Sequence, residues 1–159
     1  MAKYLTLLRH GEAEPAKGFK EDFHRNLSDN GKYKLNRLGI LLKKRKLFFD
    51  LAYISAAKRT VETAEIISDY SSISNKEVKR DLYLSGVDMV FEILSSTPND
   101  INHIIFIGHN PGISAVLAVL TNDYQVNLAP GMMAMIELHA DSWDVCINRG
   151  MGTLNEVLQ

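Results

Sequence analysis

Cysteine is nearly absent: Cys146 is the only one in 159 residues, so no internal disulfide can form, and a reducing, cytoplasmic setting is expected. A charge imbalance is missing too. Eighteen basic and nineteen acidic residues leave a net charge of −1, which gives no general pull toward nucleic acid or an anionic membrane. Long apolar runs are also lacking. Tyr4–Leu8 is ended by Arg9, too early for a signal peptide, and Ile113–Leu120 falls far short of the roughly 20 residues of a membrane span. Repeats, low-complexity tracts and linkers do not occur. No pair among the five histidines and Cys146 has metal-ligand spacing, so no metal and no cofactor is expected. What remains is one domain over residues 1–159, within the roughly 100–200 residues usual for one. It is large enough to bury its own core but too short for a separate substrate domain or a long lid.

The local signals alternate between strand and helix. Tyr4–Leu8 predicts a strand. Ser28 predicts the cap of a helix running to about Lys46, with Leu35, Leu38, Leu41 and Leu42 on one face, although Gly31 and Gly39 weaken it. Leu51–Ser55 predicts a second strand, and Thr60 to about Ser68 a helix with Val61, Ala64 and Ile67 along one side. Val87, Val90, Phe91 and Leu94 follow the i, i+3, i+4, i+7 spacing of a further helix. His103–Gly108 suits a strand buried on both faces. Asn110 is expected to cap the next helix, with Pro111 at its first position and its end near Leu120. Two last strands are expected at Met132–Leu138 and Trp143–Asn148, with a turn near Asp141 and Ser142 and an irregular tail after Arg149. This order predicts an α/β fold: a three-layer α/β/α sandwich on a mostly parallel central sheet, with the final strand pair as an antiparallel edge.

Open parallel sheets bind ligands beyond the C-terminal ends of their strands. After Tyr4–Leu8 come Arg9, His10, Gly11 and Glu12; after Leu51–Ser55 comes a turn with Lys58 and Arg59; after His103–Ile107 come Gly108, His109, Asn110 and Pro111. Three strand ends thus bring two arginines and two histidines to one edge of the sheet. Guanidinium groups suit the oxygens of a phosphoryl group, and helix N-termini add free N–H donors. A neutral imidazole, with a usual pKa of about 6.5, is a competent nucleophile toward phosphorus near neutral pH. Gly11 is expected to allow close backbone approach or a positive φ. Taken singly, each feature has an ordinary reading: His109 as a hydrogen-bonded core histidine, Arg59 as a solvated helix residue, Gly-His-Asn-Pro as a turn and helix start. Their shared placement at strand ends is what points to a phosphoryl site.

The stretches Leu7-Leu8-Arg9-His10-Gly11-Glu12, Ser55-x-x-x-Arg59-x-x-x-Thr63-Ala64 and Gly108-His109-Asn110-Pro111 resemble the motifs of the histidine phosphatase superfamily, also called phosphoglycerate-mutase-like. Ala56 stands where that family usually has proline, and Glu62 where it often has glutamine. Asp22-x-x-Arg25-x-Leu27-Ser28-x-x-Gly31 and Leu82-Tyr83 are similar to stretches of its short SixA-type phosphohistidine phosphatases. The resemblance implies a phosphoglycerate-mutase-like fold and a metal-independent phosphatase with no cofactor. In it His10 would become phosphohistidine, Arg9 and Arg59 would clamp the phosphoryl oxygens, and His109 would donate a hydrogen bond to them. Gly11, Arg25 and Asn110 would help bind substrate.

One departure bears on the substrate. The mutase-type glutamate that acts as general acid has no clear match. Asp22 is the first candidate to replace it, because its loop lies beside the nucleophile motif, with Glu14 and Asp81 behind it; a charged loop residue or a partner for Arg25 is the equally open reading of Asp22. A labile P–N substrate needs little acid help, so the missing glutamate favours phosphohistidine on a protein, such as a phosphotransfer domain or carrier. A small phosphoester, a mutase reaction and a catalytically silent phospholigand-binding module are the alternatives. His24 lies in the same loop and within possible reach of the site, and the basic run Lys43 to Lys46 is expected to face water at a helix C-terminus, with substrate docking as a weaker reading.

Overall fold

The computed structural model describes residues 2–16 and 19–159, with only the backbone of residues 19 and 20 considered. The elements in chain order are β1 (Lys3–Arg9), α1 (Phe19–Asp22), α2 (Asp29–Lys44), β2 (Phe48–Ser55), α3 (Lys58–Ser68), β3 (Ser72–Lys79), a 3₁₀ turn (Arg80–Leu82), α4 (Val87–Ser95), β4 (His103–Gly108), α5 (Gly112–Thr121), β5 (Met133–Leu138), α6 (Trp143–Cys146) and β6 (Gly152–Leu158). One six-stranded sheet runs in the order β3-β2-β4-β1-β5-β6. The pairs β3–β2, β2–β4 and β4–β1 are parallel; β5 is antiparallel to both β1 and β6, so it alone runs against the rest.

Alternation along the central strands sends side chains to two cores. Leu5, Leu7, Ile104 and Phe106 pack on one face with Val90, Leu94, Val116, Leu120 and Trp143 from α4, α5 and α6. Leu8, Ile105, Ile107 and Ile54 pack on the other with Leu38, Leu42, Ala64 and Ile67 from α2 and α3. Two covered faces explain why His103–Gly108 reads as an unbroken apolar run. The α/β/α layers and mostly parallel sheet are those expected. The crossovers position the site: the chain leaving β1 turns to the α2 face, while the chain leaving the neighbouring β4 turns to the α5 face. A crevice opens between their C-terminal ends, at the topological switch point of the sheet.

Several local expectations need correction. Trp143–Asn148 is not a strand; Trp143, Cys146 and Ile147 are buried and Val145 is exposed, an i, i+3, i+4 pattern that makes the short helix α6. The tail is not irregular, because Gly152–Leu158 forms the edge strand β6. Its alternation is hidden by polar Asn155 and Glu156 and by a register shift between Met135 and Ile136. Ser72–Lys79 was not anticipated: β3 is the other edge, almost wholly exposed, and so lacks an apolar stripe. Pro111 is the N-cap of α5 rather than its first residue, and Asn110 lies one position further out. Ser28 caps α2 as expected, accepting from Gly31 N at 3.0 Å.

Candidate active site

The crevice holds an open cavity of about 780 Å³, with Arg9 and His10 from the end of β1, Arg59 from the first turn of α3, and His109 from the end of β4. The two histidines and Arg59 are almost fully buried. His10 donates Nδ1–H to its neighbour's carbonyl, Gly11 O, at 2.8 Å, which fixes the tautomer and leaves the Nε2 lone pair facing the cluster. Arg59 reaches that Nε2 through Nε at 3.4 Å and His109 Nδ1 through Nη2 at 3.3 Å. With Nδ1 accepting, His109 donates Nε2–H to Ser55 Oγ at 2.7 Å. The imidazole rings lie 5.2 Å apart, centroid to centroid.

Burial, above all, keeps both rings neutral. It lowers the His10 pKa to about 4, with the charges of Arg59, Arg9 and Arg25 adding to the effect and the Gly11 carbonyl opposing it. It lowers His109 to about 3, with His10 and Arg59 next in importance. Arg9 uses Nη1 on Leu128 O at 2.9 Å, but among the described residues its buried Nε has no partner. A buried free donor beside two neutral imidazoles and a second guanidinium suits an anion.

The loop before β5 secures this floor. Gly131, at φ +77°, donates its N–H to Arg9 O at 3.1 Å and His10 O at 2.9 Å. Sequence reading missed this loop, although Pro130-Gly131 before a strand was an available turn signal. It also missed Tyr83 as a wall of the cavity and Ser55 as the partner of His109. Tyr83 stands edge-on to His109 at 5.5 Å and to Phe23 at 5.0 Å.

The remaining expected residues divide. Gly11 has no positive φ, and its N–H is donated to Thr63 Oγ1 at 3.1 Å; its missing side chain makes room for Leu35, whose Cδ1 would lie 2.7 Å from a Cβ. Gly11 therefore packs and positions the loop that follows β1. Asn110 lines the cavity, but its Nδ2 is donated to Leu128 O and its Oδ1 accepts from Ser114. Arg25 also lines it, donating to Asp22 Oδ1 at 3.0 Å and Glu14 O at 3.1 Å. His24 lies in a neighbouring depression with Glu14 and Glu21. Of the basic run, Arg45 pairs with Glu156.

Asp22 does reach the site, but as a carboxylate. Burial would raise its pKa; the Tyr83 hydroxyl that donates to Oδ2, together with Arg59 and Arg25, outweighs burial and holds it below the usual range. Arg59 donates Nη2 to Asp22 Oδ2 at 3.3 Å and Nη1 to Asp22 O at 2.7 Å. An ionised carboxyl argues against the general-acid role expected from sequence and makes Asp22 a positioning residue for Arg59. Glu12, the other carboxylate on the wall, is also lowered, first by Asn30 and then by Ser28. Among the described residues no group of three or more His, Cys, Asp or Glu is arranged to hold a metal ion, and no helix is long and apolar enough to cross a membrane.

With this geometry in hand, comparison with known proteins gives a consistent answer. The family model for the histidine phosphatase superfamily (branch 1) matches residues 5–84. A 2,3-bisphosphoglycerate-dependent phosphoglycerate mutase of Buchnera aphidicola (subsp. Schizaphis graminum) is 43% identical over 67 residues, covering 41% of this chain and 29% of the mutase. Another, from Hamiltonella defensa, is 34% identical over 85 residues, covering 52% of this chain and 34% of that protein. The matches thus span about a third of the length of these curated relatives. Among solved structures, a candidate phosphohistidine phosphatase SixA from Nakamurella multipartitia superposes with a TM-score of 0.82 at 23% identity, covering 100% of this chain and 96% of that one. The protein histidine phosphatase SixA complexed with tungstate gives 0.81 at 23% identity, covering 98% and 96%. At such identities these likenesses speak to the fold.

Proposed function

Because the chain belongs to the histidine phosphatase superfamily, we propose that it is a phosphohydrolase that works through phospho-His10 and removes the phosphoryl group from phosphohistidine on a protein. The observation that carries this reading is the way His10 is held: neutral, with Nδ1 tied to Gly11 O and Nε2 turned to Arg59 in the cavity that Arg9 and His109 also line. In the first step His10 Nε2 bonds to phosphorus and the P–N bond of the substrate breaks. The leaving imidazole takes its proton from solvent. In the second step water attacks phosphorus, the P–Nε2 bond breaks, and inorganic phosphate departs. Arg9 and Arg59 bind the phosphoryl oxygens in both steps, so the reading calls for no metal. The incoming dianion favours the charged form of His109 against the burial that keeps it neutral, so His109 takes up a proton and donates Nδ1–H to it.

The substrate class follows from the carboxylates. Among the described residues, those lining the cavity are Glu12 and Asp22, and both are held ionised. A site without an acid favours a leaving group that solvent can protonate, as imidazole in a P–N bond is. The open cavity leaves space for a protein surface. A mutase reading draws on the curated relatives, yet the matches cover only about a third of them.

Single-turnover labelling with a phosphohistidine protein should trap an acid-labile, base-stable phosphate on the wild type and none on His10→Ala. Labelling of both proteins alike overturns the mechanism. A substrate panel of phosphohistidine protein, sugar phosphate and phosphoglycerate with bisphosphoglycerate primer then separates the readings by kcat/KM. A preference for a phosphoester by orders of magnitude overturns the substrate, and tight phosphate binding without any turnover identifies a binding module. Loss of activity in a chelator would contradict the arginine-based mechanism.

A further inference from the structure

The wall above the phosphoryl floor divides into side chains whose polar atoms are already used and side chains that have none. Glu12 accepts from Ser28 Oγ and Asn30 Nδ2, both at 2.9 Å. Asn110, Arg25 and the Tyr83 hydroxyl are bonded within the chain as described above. Among the described residues, what is left uncommitted at the mouth is apolar: Ala13, Ala16, Leu84 and Pro130.

Leu84 stands apart on two independent counts. It is 57% exposed, so it forgoes the burial a leucine normally gains. Its φ is +52°, the left-handed region in which an L side chain crowds its own backbone. Glycine and asparagine take this conformation at least cost, and the other two such residues among those described that are not glycine, Lys46 and Asn122, are polar. Neither packing nor turn geometry accounts for an exposed, strained leucine on the lip of a reactive cavity. A contact made only when substrate arrives accounts for both.

We propose that Leu84 is a substrate-contacting residue that packs against aliphatic side chains flanking the phosphohistidine of a protein partner. This rests on the P–N reading of the site. The phosphoryl group and its imidazole occupy the floor, and Leu84, next to Tyr83, meets the layer of partner side chains above them. Against the four apolar side chains at the mouth a small metabolite rich in hydroxyl or carboxylate groups gains nothing, because they offer its polar groups no donor or acceptor in exchange for water. An aliphatic flank is complementary to them.

The test uses the full chain, its Leu84→Gly and Leu84→Asn variants, and three P–N probes. The probes are a helical phosphohistidine peptide with leucine and alanine one turn either side, the same peptide with serine and glutamine there, and phosphoimidazole. Glycine and asparagine both accept a φ of +52°, so both variants are expected to melt no lower than the parent. The wild type should favour the leucine-flanked peptide. Both variants should lose about tenfold in kcat/KM on it, several times more than on the other two probes. Equal losses on all three probes, no loss on any, or a lower Tm in both variants overturns the proposal and leaves the P–N reading intact. A wild type that cleaves none of the three but hydrolyses a phosphoester removes the reading and the proposal together.

Discussion

Mild acid should weaken this fold before its carboxylates titrate. His10, His103 and His109 are all held neutral, chiefly by burial, with pKa values lowered to about 4, 4 and 3 from 6.5. In the unfolded chain the same rings protonate near 6.5, so between there and about pH 4 the unfolded state binds protons that the folded state refuses. One unit below 6.5, each ring costs about 1.4 kcal/mol of stability, and three cost about 4 kcal/mol, a large share of the roughly 5–15 kcal/mol typical of a domain. Urea unfolding at pH 7.5 and pH 5.5, followed by the fluorescence of the buried Trp143, measures the difference directly. Saturating phosphate should shrink the pH dependence toward the share of His103, whose Nε2 bonds Thr6 Oγ1 at 2.8 Å near the opposite end of β4, away from any bound anion. A stability that changes by less than about 1 kcal/mol between the two pH values would mean that the rings titrate normally in the folded protein, and the electrostatic account of the nucleophile would fall.

Three further outcomes are expected. Arg59→Lys keeps a charge but cannot reach both histidines and both Asp22 oxygens at once, so kcat/KM should fall by about 10²–10³; retention within tenfold would show that the fork geometry does not matter. Tyr83→Phe removes the hydroxyl that donates to Asp22, so the Asp22 pKa should rise in carboxyl-carbon NMR titration, and an unchanged value would contradict the network. Gly31→Ala would place a Cβ 2.2 Å from Glu12 O, a backbone atom, so thermal unfolding should show a loss of about 1–3 kcal/mol, and wild-type stability would contradict the close approach of α2 to the nucleophile loop.

The sheet interior and the floor of the site were legible for the same reason: strands covered on two faces can be placed from sequence, and so can the residues that follow them. His103–Gly108 must be apolar throughout, so its end, and the His109 that follows, can be placed from sequence. The edges were not legible, because an edge strand carries no such constraint; β3 and β6 are polar enough to pass for loops. Trp143 was read as a strand because a short apolar run does not declare its period, whereas the exposed Val145 between buried residues does. The roles of Ser55, Gly131 and Tyr83 arise from contacts between segments distant in sequence, such as Ser55 with His109 and Gly131 with the backbone of Arg9 and His10, which no local pattern encodes.

Asp22 shows how the site divides the labour of catalysis. A carboxylate close to a phosphoryl site repels its substrate, so it must give something in return. Here it holds Arg59 by Oδ2 and by its backbone oxygen, which keeps the guanidinium between His10 and His109 before substrate binds. That preorganisation needs the anion: a protonated Asp22 would offer Arg59 a weaker acceptor and compete with Tyr83 as a donor. A group kept ionised to position an arginine cannot also wait as the proton donor for a leaving group. The two demands conflict for an alkoxide leaving group, which needs the proton, but not for imidazole, which solvent can protonate. On the proposed reading, the same Arg59–Asp22 contact that fixes the guanidinium restricts the chemistry toward P–N bonds. Asp22→Asn separates the two roles: it should lower kcat/KM on a phosphohistidine protein through a misplaced Arg59, without the loss of a basic limb in the pH profile that removal of a general acid would cause.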